Sequence, residues 1–236
     1  MNLNIVEAEQ LVKGIGAGLN GKSIPENLKV IVAPPHVYLN SVNTFIPDCS
    51  ANDSGAFTGE TSATMLKNVG CEYTLIGHSE RRSYHNESDE LLLEKLRKAR
   101  AQGLKVIFCC GETLEERNAE KHFEVIERQL KVFFYEFDNL DDLIVAYEPV
   151  WAIGTGVTAS PEQAQEVHAF IRKLFSYQFG DKAEKLTILY GGSCKPANAT
   201  ELFAQPDIDG GLIGGAALKP ESFIGIIDAM INQINA

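Results

Sequence analysis

Six short apolar runs, each closed by Gly, Pro or a polar residue and then followed by a segment of helical period, constrain this chain more than any other feature. They are Val30–Ala33, Tyr73–Ile76, Val106–Cys109, Leu143–Ala146, Leu186–Leu189 and Gly211–Ile213. Runs without polar alternation are buried on both faces, and strands of that kind belong to parallel sheets covered by helices. Between them, Asp89–Arg100 places Leu92, Leu93, Leu96 and Ala99 on one helical face, and Pro161–Phe175 does the same with Ala164, Val167, His168, Ile171 and Leu174. Ser160-Pro161-Glu162-Gln163 reads as an N-cap, a first-turn proline and a capping-box partner. Asn4-x-x-Glu7 reads as the capping box of an opening helix that carries Ile5, Ala8, Leu11, Val12 and Ile15.

An α/β chain in this order folds either as a doubly wound sheet or as a closed (β/α) barrel. Val30–Ala33 runs into Pro34 and Pro35 with no G-x-G-x-x-G behind it, which argues against a dinucleotide-binding fold and favours the barrel. A weak further strand near Asp48–Ala51 brings the count to seven, one short of the eight such a barrel uses. No linker or sequence repeat divides the chain, so residues 1–236 are expected to form a single barrel domain, N-terminally incomplete and lacking its first strand in the sequence given.

The balance of 21 Lys+Arg against 32 Asp+Glu, a net charge of −11, offers no basic footprint to a nucleic acid or an anionic membrane. The longest apolar stretches, such as Leu143–Tyr147, fall far short of the roughly 18 residues needed to span a bilayer, and the opening Met1-Asn-Leu-Asn4 is no signal peptide. A cytoplasmic protein is expected. Five cysteines without C-x-x-C spacing read as free thiols, with Cys109 and Cys110 on opposite faces of a strand; no metal constellation and no cofactor motif is visible.

Active sites of such barrels lie at the C-terminal ends of the strands. Glu148 ends the run Leu143–Tyr147 just before Pro149, which makes it a candidate general base; alone, it would serve equally as a turn cap or an arginine partner. Pro149–Gly156 has apolar residues in its middle and glycines at its far end, the pattern of a lid that excludes water, although an irregular loop with Trp151 packed on a helix has the same composition. His78 ends another strand and begins a helix, where the helix dipole disfavours imidazolium; a lone His is more often a satisfied structural group. Gly191-Gly192-Ser193 and Gly214-Gly215 each follow one of the last two strands and expose backbone N–H groups, which points to a phosphorylated small molecule. Lys195 and Lys219 stand nearby as solvated cations.

Gly77-His-Ser-Glu-Arg-Arg82, Cys109-x-Gly-Glu112, Ala146-Tyr-Glu-Pro-Val-Trp-Ala-Ile-Gly-Thr-Gly156, Tyr190-Gly-Gly-Ser193 and Gly210-Gly-Leu-Ile-Gly-Gly215 together resemble the triosephosphate isomerases, along the whole chain. The resemblance implies a TIM barrel, usually homodimeric, that interconverts dihydroxyacetone phosphate and D-glyceraldehyde 3-phosphate through an enediol(ate), without a cofactor, in glycolysis and gluconeogenesis. It implies Glu148 as the base, His78 as the electrophile on the substrate oxygens, and Gly154, Ser193, Gly214 and Gly215 as the phosphate site. Two departures stand against it. Met1-Asn-Leu-Asn4 aligns just after the strand that carries the family's Asn and catalytic Lys, so a large loss of activity is expected of the chain as written. The loop before Gly55 is shortened, which sets dimerisation through the segment around Thr58 in doubt. The rival expectation is a non-catalytic phospho-ligand-binding or regulatory barrel of the same descent; another phosphosugar isomerase or an aldolase would need a different lid or a Schiff-base lysine on a strand.

Overall fold

A computed structural model describes residues 2–39, 47–134, 136, 139–153 and 158–236. Among them α1 (Ile5–Leu19) and α2 (Ala63–Asn68) precede β1 (Tyr73–Ile76), after which α3 (Ser79–Tyr84) and α4 (Asp89–Ala101) lead to β2 (Lys105–Cys110). The chain continues through α5 (Leu114–Asn118), α6 (His122–Phe134), β3 (Leu143–Tyr147), α7 (Pro161–Phe179), β4 (Thr187–Tyr190), α8 (Pro196–Phe203), β5 (Gly210–Gly211) and α9 (Pro220–Ile234). All neighbouring strands are parallel and lie in the order β1-β2-β3-β4-β5. A sheet that adds every strand on the same side winds toward a barrel, whereas a doubly wound sheet reverses its order.

The pleat sorts the strand residues into two cores. Tyr73, Ile107, Cys109 and Ala146 form an inner cluster with Leu75, Ile144, Leu189, Leu212 and Ile31. Their alternates, among them Ile76, Phe108, Cys110, Val145, Tyr147, Ile188 and Tyr190, face the helices in the larger outer cluster. Cys109 and Cys110 therefore sit on opposite faces, and all five thiols are buried and free.

Helix starts follow the local chemistry. Asn4 and Glu7 form the reciprocal capping box of α1, and Ser160 with Gln163 forms that of α7, with Pro161 in the first turn. The buried face of α4 carries Leu92, Leu96 and Ala99 as expected, but Lys95 is buried beside them while Leu93 is only half-buried. Lys95 is tolerated there because its ammonium lies 2.8 Å from Asp48 and 2.6 Å from Glu87, and Asp48 and Glu87 are also paired with Arg81. In α7 the buried face extends to Arg172 and Phe175; Arg172 is held by Asp207, Asp209 and the carbonyls of Ala183 and Leu186.

Two expected strands are not strands. Val30–Ala33 contributes Ile31 to the inner cluster but pairs with no strand among the described residues. Asp48–Ala51 has no ladder either: the β1 edge meets only the carbonyl of Pro47, which accepts from Leu75 N–H at 3.2 Å and Thr74 Oγ1 at 2.7 Å. The return bond a parallel ladder needs there, Cys49 N–H to the Leu75 carbonyl, does not form, so no ladder starts. The last strand is also displaced and shorter, Gly210–Gly211 in place of Gly211–Ile213. A cavity of about 1930 Å³ is lined by Lys29–Ala33 and Asp209–Ile213 together with inner-face strand residues such as Leu75, Ile107, Ile144 and Leu189.

Candidate functional site

At the C-terminal end of the sheet, β1 turns sharply through Gly77, whose φ of +81° suits glycine and whose missing Cβ would stand 3.0 Å from the Cys109 carbonyl. That turn sets His78 as the N-cap of α3. Its Nδ1 accepts the Glu80 N–H at 3.2 Å, and its Nε2 faces Glu148 Oε1 at 2.9 Å. An acceptor at Nδ1 and a carboxylate at Nε2 assign the neutral tautomer with its proton on Nε2. Burial lowers the proton affinity of the ring, but the hydrogen bond and charge of Glu148 raise it by more, so the His78 pKa lies above its ordinary value. The helix dipole considered in the sequence is thus outweighed while the carboxylate stays on Nε2.

Glu148 leaves β3 almost wholly buried, 2% exposed. Its N–H donates to the Cys110 carbonyl at 2.7 Å, which extends the β2–β3 pairing to Glu148 itself. Besides His78, its carboxylate accepts the Ser79 N–H at 2.9 Å, with Ser79 Oγ farther off at 3.5 Å. Gly191 closes the other side: a Cβ there would lie 2.8 Å from Glu148 Cγ. Glu148 is therefore held by three strand ends: its carboxylate beyond β1, its backbone by β2 and its Cγ beyond β4.

The segment after Pro149 makes one 3-10 turn, Val150–Ala152. Trp151 packs against the outer core and donates Nε1–H to Glu112 Oε1 at 2.9 Å, which also accepts from Tyr147 OH at 3.0 Å. Glu112 is fully buried, and burial raises its pKa in spite of Trp151, Tyr147 and Arg117. Gly154 lies outside the described residues, as do Thr155 and Gly156 of the expected lid.

Ser193, Gly214 and Gly215 line the same cavity as His78 and Glu148. Gly214 and Gly215 are exposed, have open space where a Cβ would go, and enter a short 3-10 helix, Gly215–Leu218. Among the described residues their N–H groups and that of Ser193 bond to no protein group. Lys195 and Lys219 are exposed on the rim of that cavity. Sequence reasoning missed Ser79, Gly111 and Glu112 as site residues, and read Gly191 as part of a phosphate turn without its contact to Glu148. Glu112 carries the same signal as Glu148, a carboxylate just past an apolar run, whereas Ser79 and the glycines are legible only from what packs against them.

The triosephosphate isomerase family model matches residues 1–230. The triosephosphate isomerase of Phocaeicola vulgatus is 50% identical, covering 97% of this chain and 95% of that protein; that of Porphyromonas gingivalis is 48% identical with the same coverage; and that of Saccharomyces cerevisiae is 45% identical, covering 97% and 96%. The first of these matches runs over 240 positions, more than the 236 residues of this chain, so the relative carries residues inside the match that this chain lacks.

Proposed function

The chain belongs to the triosephosphate isomerase family, and we propose that it interconverts D-glyceraldehyde 3-phosphate and dihydroxyacetone phosphate as an intramolecular aldose–ketose isomerase. The observation that carries this reading is the convergence of the Glu148 carboxylate and the His78 imidazole, 2.9 Å apart, on a cavity that also holds the Ser193 and Gly214-Gly215 turns. Glu148 takes the proton from one substrate carbon and returns it to the other; a single group in reach of both carbons suffices because the intermediate is planar between them. His78 donates Nε2–H to the developing oxyanion once Glu148 leaves that nitrogen for the substrate, and the same nitrogen recovers a proton from the neighbouring substrate hydroxyl, so that one proton moves between the carbons and one between the oxygens. Its Nδ1 is fixed by Glu80 N–H, which keeps the donor aimed without a second proton. The backbone N–H groups of Ser193, Gly214 and Gly215, with Gly154 from the lid, take the phosphate.

The whole chain acts as one domain in the cytoplasm, in glycolysis and gluconeogenesis. Among the described residues no helix is long and apolar enough to cross a membrane, and no group of three metal-ligating side chains stands together. Homodimerisation through the segment around Thr58 is part of this proposal: the loop that carries it is closed at its base by Ser50 N–H to the Thr61 carbonyl and presents Phe57, 45% exposed, and Thr58 to solvent.

The deciding experiment is the isomerase rate of the 236-residue chain beside its Glu148→Gln variant, with inorganic phosphate as the binding probe. Turnover that falls by about 10²–10⁴ in the variant while phosphate inhibition stays unchanged is the expected result. Phosphate binding without Glu148-dependent turnover would replace this reading by that of a phospho-ligand receptor.

A further inference from the structure

We propose that Gln129, on α6 outside the cavity, is a positioning residue for Glu148. The inference rests on the isomerase reading and deepens it. Gln129 is buried, 5% exposed, and its side-chain amide closes a two-point pair with one residue: Oε1 accepts the Gly111 N–H at 2.8 Å, and Nε2 donates to the Gly111 carbonyl at 3.1 Å.

The reason lies in the alternation of a parallel ladder, in which successive residues turn their peptide groups to opposite sides. Past the end of β2, Cys110 and Glu112 present their carbonyls toward the β3 side, where they accept Glu148 N–H at 2.7 Å and Val150 N–H at 3.1 Å. Gly111, between them, presents its own N–H and carbonyl the other way, beyond the end of β1 at Ile76. The Gln129 amide supplies there the donor and acceptor that a neighbouring strand would supply. Among the described residues neither Gly111 group has another protein partner.

What Gln129 holds still is the surface on which the base rests. A Cβ built on Gly111 would come 1.7 Å from the Glu148 carbonyl oxygen and 3.3 Å from its Cα, so the two backbones are in direct contact. Glu112, one residue on, fixes Trp151 at the start of the lid. Release of Gly111 therefore loosens the base and the lid root together, while the Gly214-Gly215 turn, which packs against neither, stays as it is.

The test uses Gln129→Met, close in shape but without either hydrogen bond, and Gln129→Asn, which keeps an amide but draws it back by about 1.5 Å. Each is assayed in the full chain for kcat, KM, inhibition by inorganic phosphate and melting temperature. The expected result is a fall in kcat of about tenfold to a hundredfold in both, with KM and phosphate inhibition within about twofold. Unchanged kcat in either folded variant overturns the proposal. So does a fall in kcat matched by weaker phosphate binding and a lowered melting temperature, the signature of a general structural role. If the unsubstituted chain has no Glu148-dependent turnover, the isomerase reading fails by itself, and the crystal structure of Gln129→Met decides: a Glu148 backbone displaced by about 0.5 Å or more supports positioning, and an unmoved one overturns it.

Discussion

Nε2 of His78 lies 2.9 Å from Oε1 of Glu148, so the two groups assigned to the chemistry occupy one another in the free protein. The pairing explains how a carboxylate that is 2% exposed is kept without an arginine partner: it is satisfied by the imidazole and by the Ser79 N–H. Substrate must displace it from His78 before either group works.

His78→Asn separates the two duties of the histidine. Asparagine is among the best N-caps and keeps an acceptor for the first turn of α3, but it cannot carry a donor to the position of Nε2. Stability within about 1 kcal/mol of the parent and turnover lower by about 10²–10³ are expected, read by denaturant unfolding and by steady-state assay. A variant that unfolds while its residual turnover stays normal would make His78 a structural group.

Trp151 is the chain's single tryptophan, so its emission reports on the turn that follows Pro149. Glu112→Leu removes the acceptor that Trp151 and Tyr147 share. The Tyr147 hydroxyl is then left in the core without this bond, at a cost of about 1–3 kcal/mol. Red-shifted and more readily quenched emission should accompany a lower kcat. Emission identical to that of the parent would mean that Trp151 is held by packing alone.

His168 gives the native state an acid-side weakness of definite sign. The ring is fully buried, donates Nδ1–H to the Asp207 carbonyl at 3.0 Å, and is flanked by Tyr147 and Tyr190; burial pushes its pKa from 6.5 down to about 4. Between those values the unfolded chain binds a proton that the native chain refuses, so stability falls as the pH drops from about 6.5 to about 4 and levels off below. The full effect is on the order of 3 kcal/mol. Glu112, whose pKa burial raises, acts with the opposite sign, so the His168 contribution is read as the parent minus His168→Gln across that range. A difference that does not change with pH would contradict it.

Apolar periodicity, caps and strand-end residues made much of this legible in the sequence. The β–α alternation, the Asn4 and Ser160 caps and the opposite faces of Cys109 and Cys110 follow from neighbours a few residues apart, where backbone geometry alone decides the outcome. That His78, Glu148, Ser193, Gly214 and Gly215 line one cavity at the strand ends was foreshadowed by their standing just past apolar runs.

What the sequence could not decide depends on groups brought together from distant segments. A run such as Val30–Ala33 has the composition of a strand, yet a strand exists only where a neighbour offers a ladder, and among the described residues none does. Lys95 reads as a solvated cation until Asp48 and Glu87 arrive to make its burial affordable. Gln129 reads as an ordinary helix residue, and only the end of β2 lying against α6 makes its amide the partner of Gly111 and hence a support of Glu148. The sequence determined the elements and which residues end them, because those are local properties; the tertiary structure decided pairing, burial of charge and positioning, because each of these is a relation between groups that the chain order keeps apart.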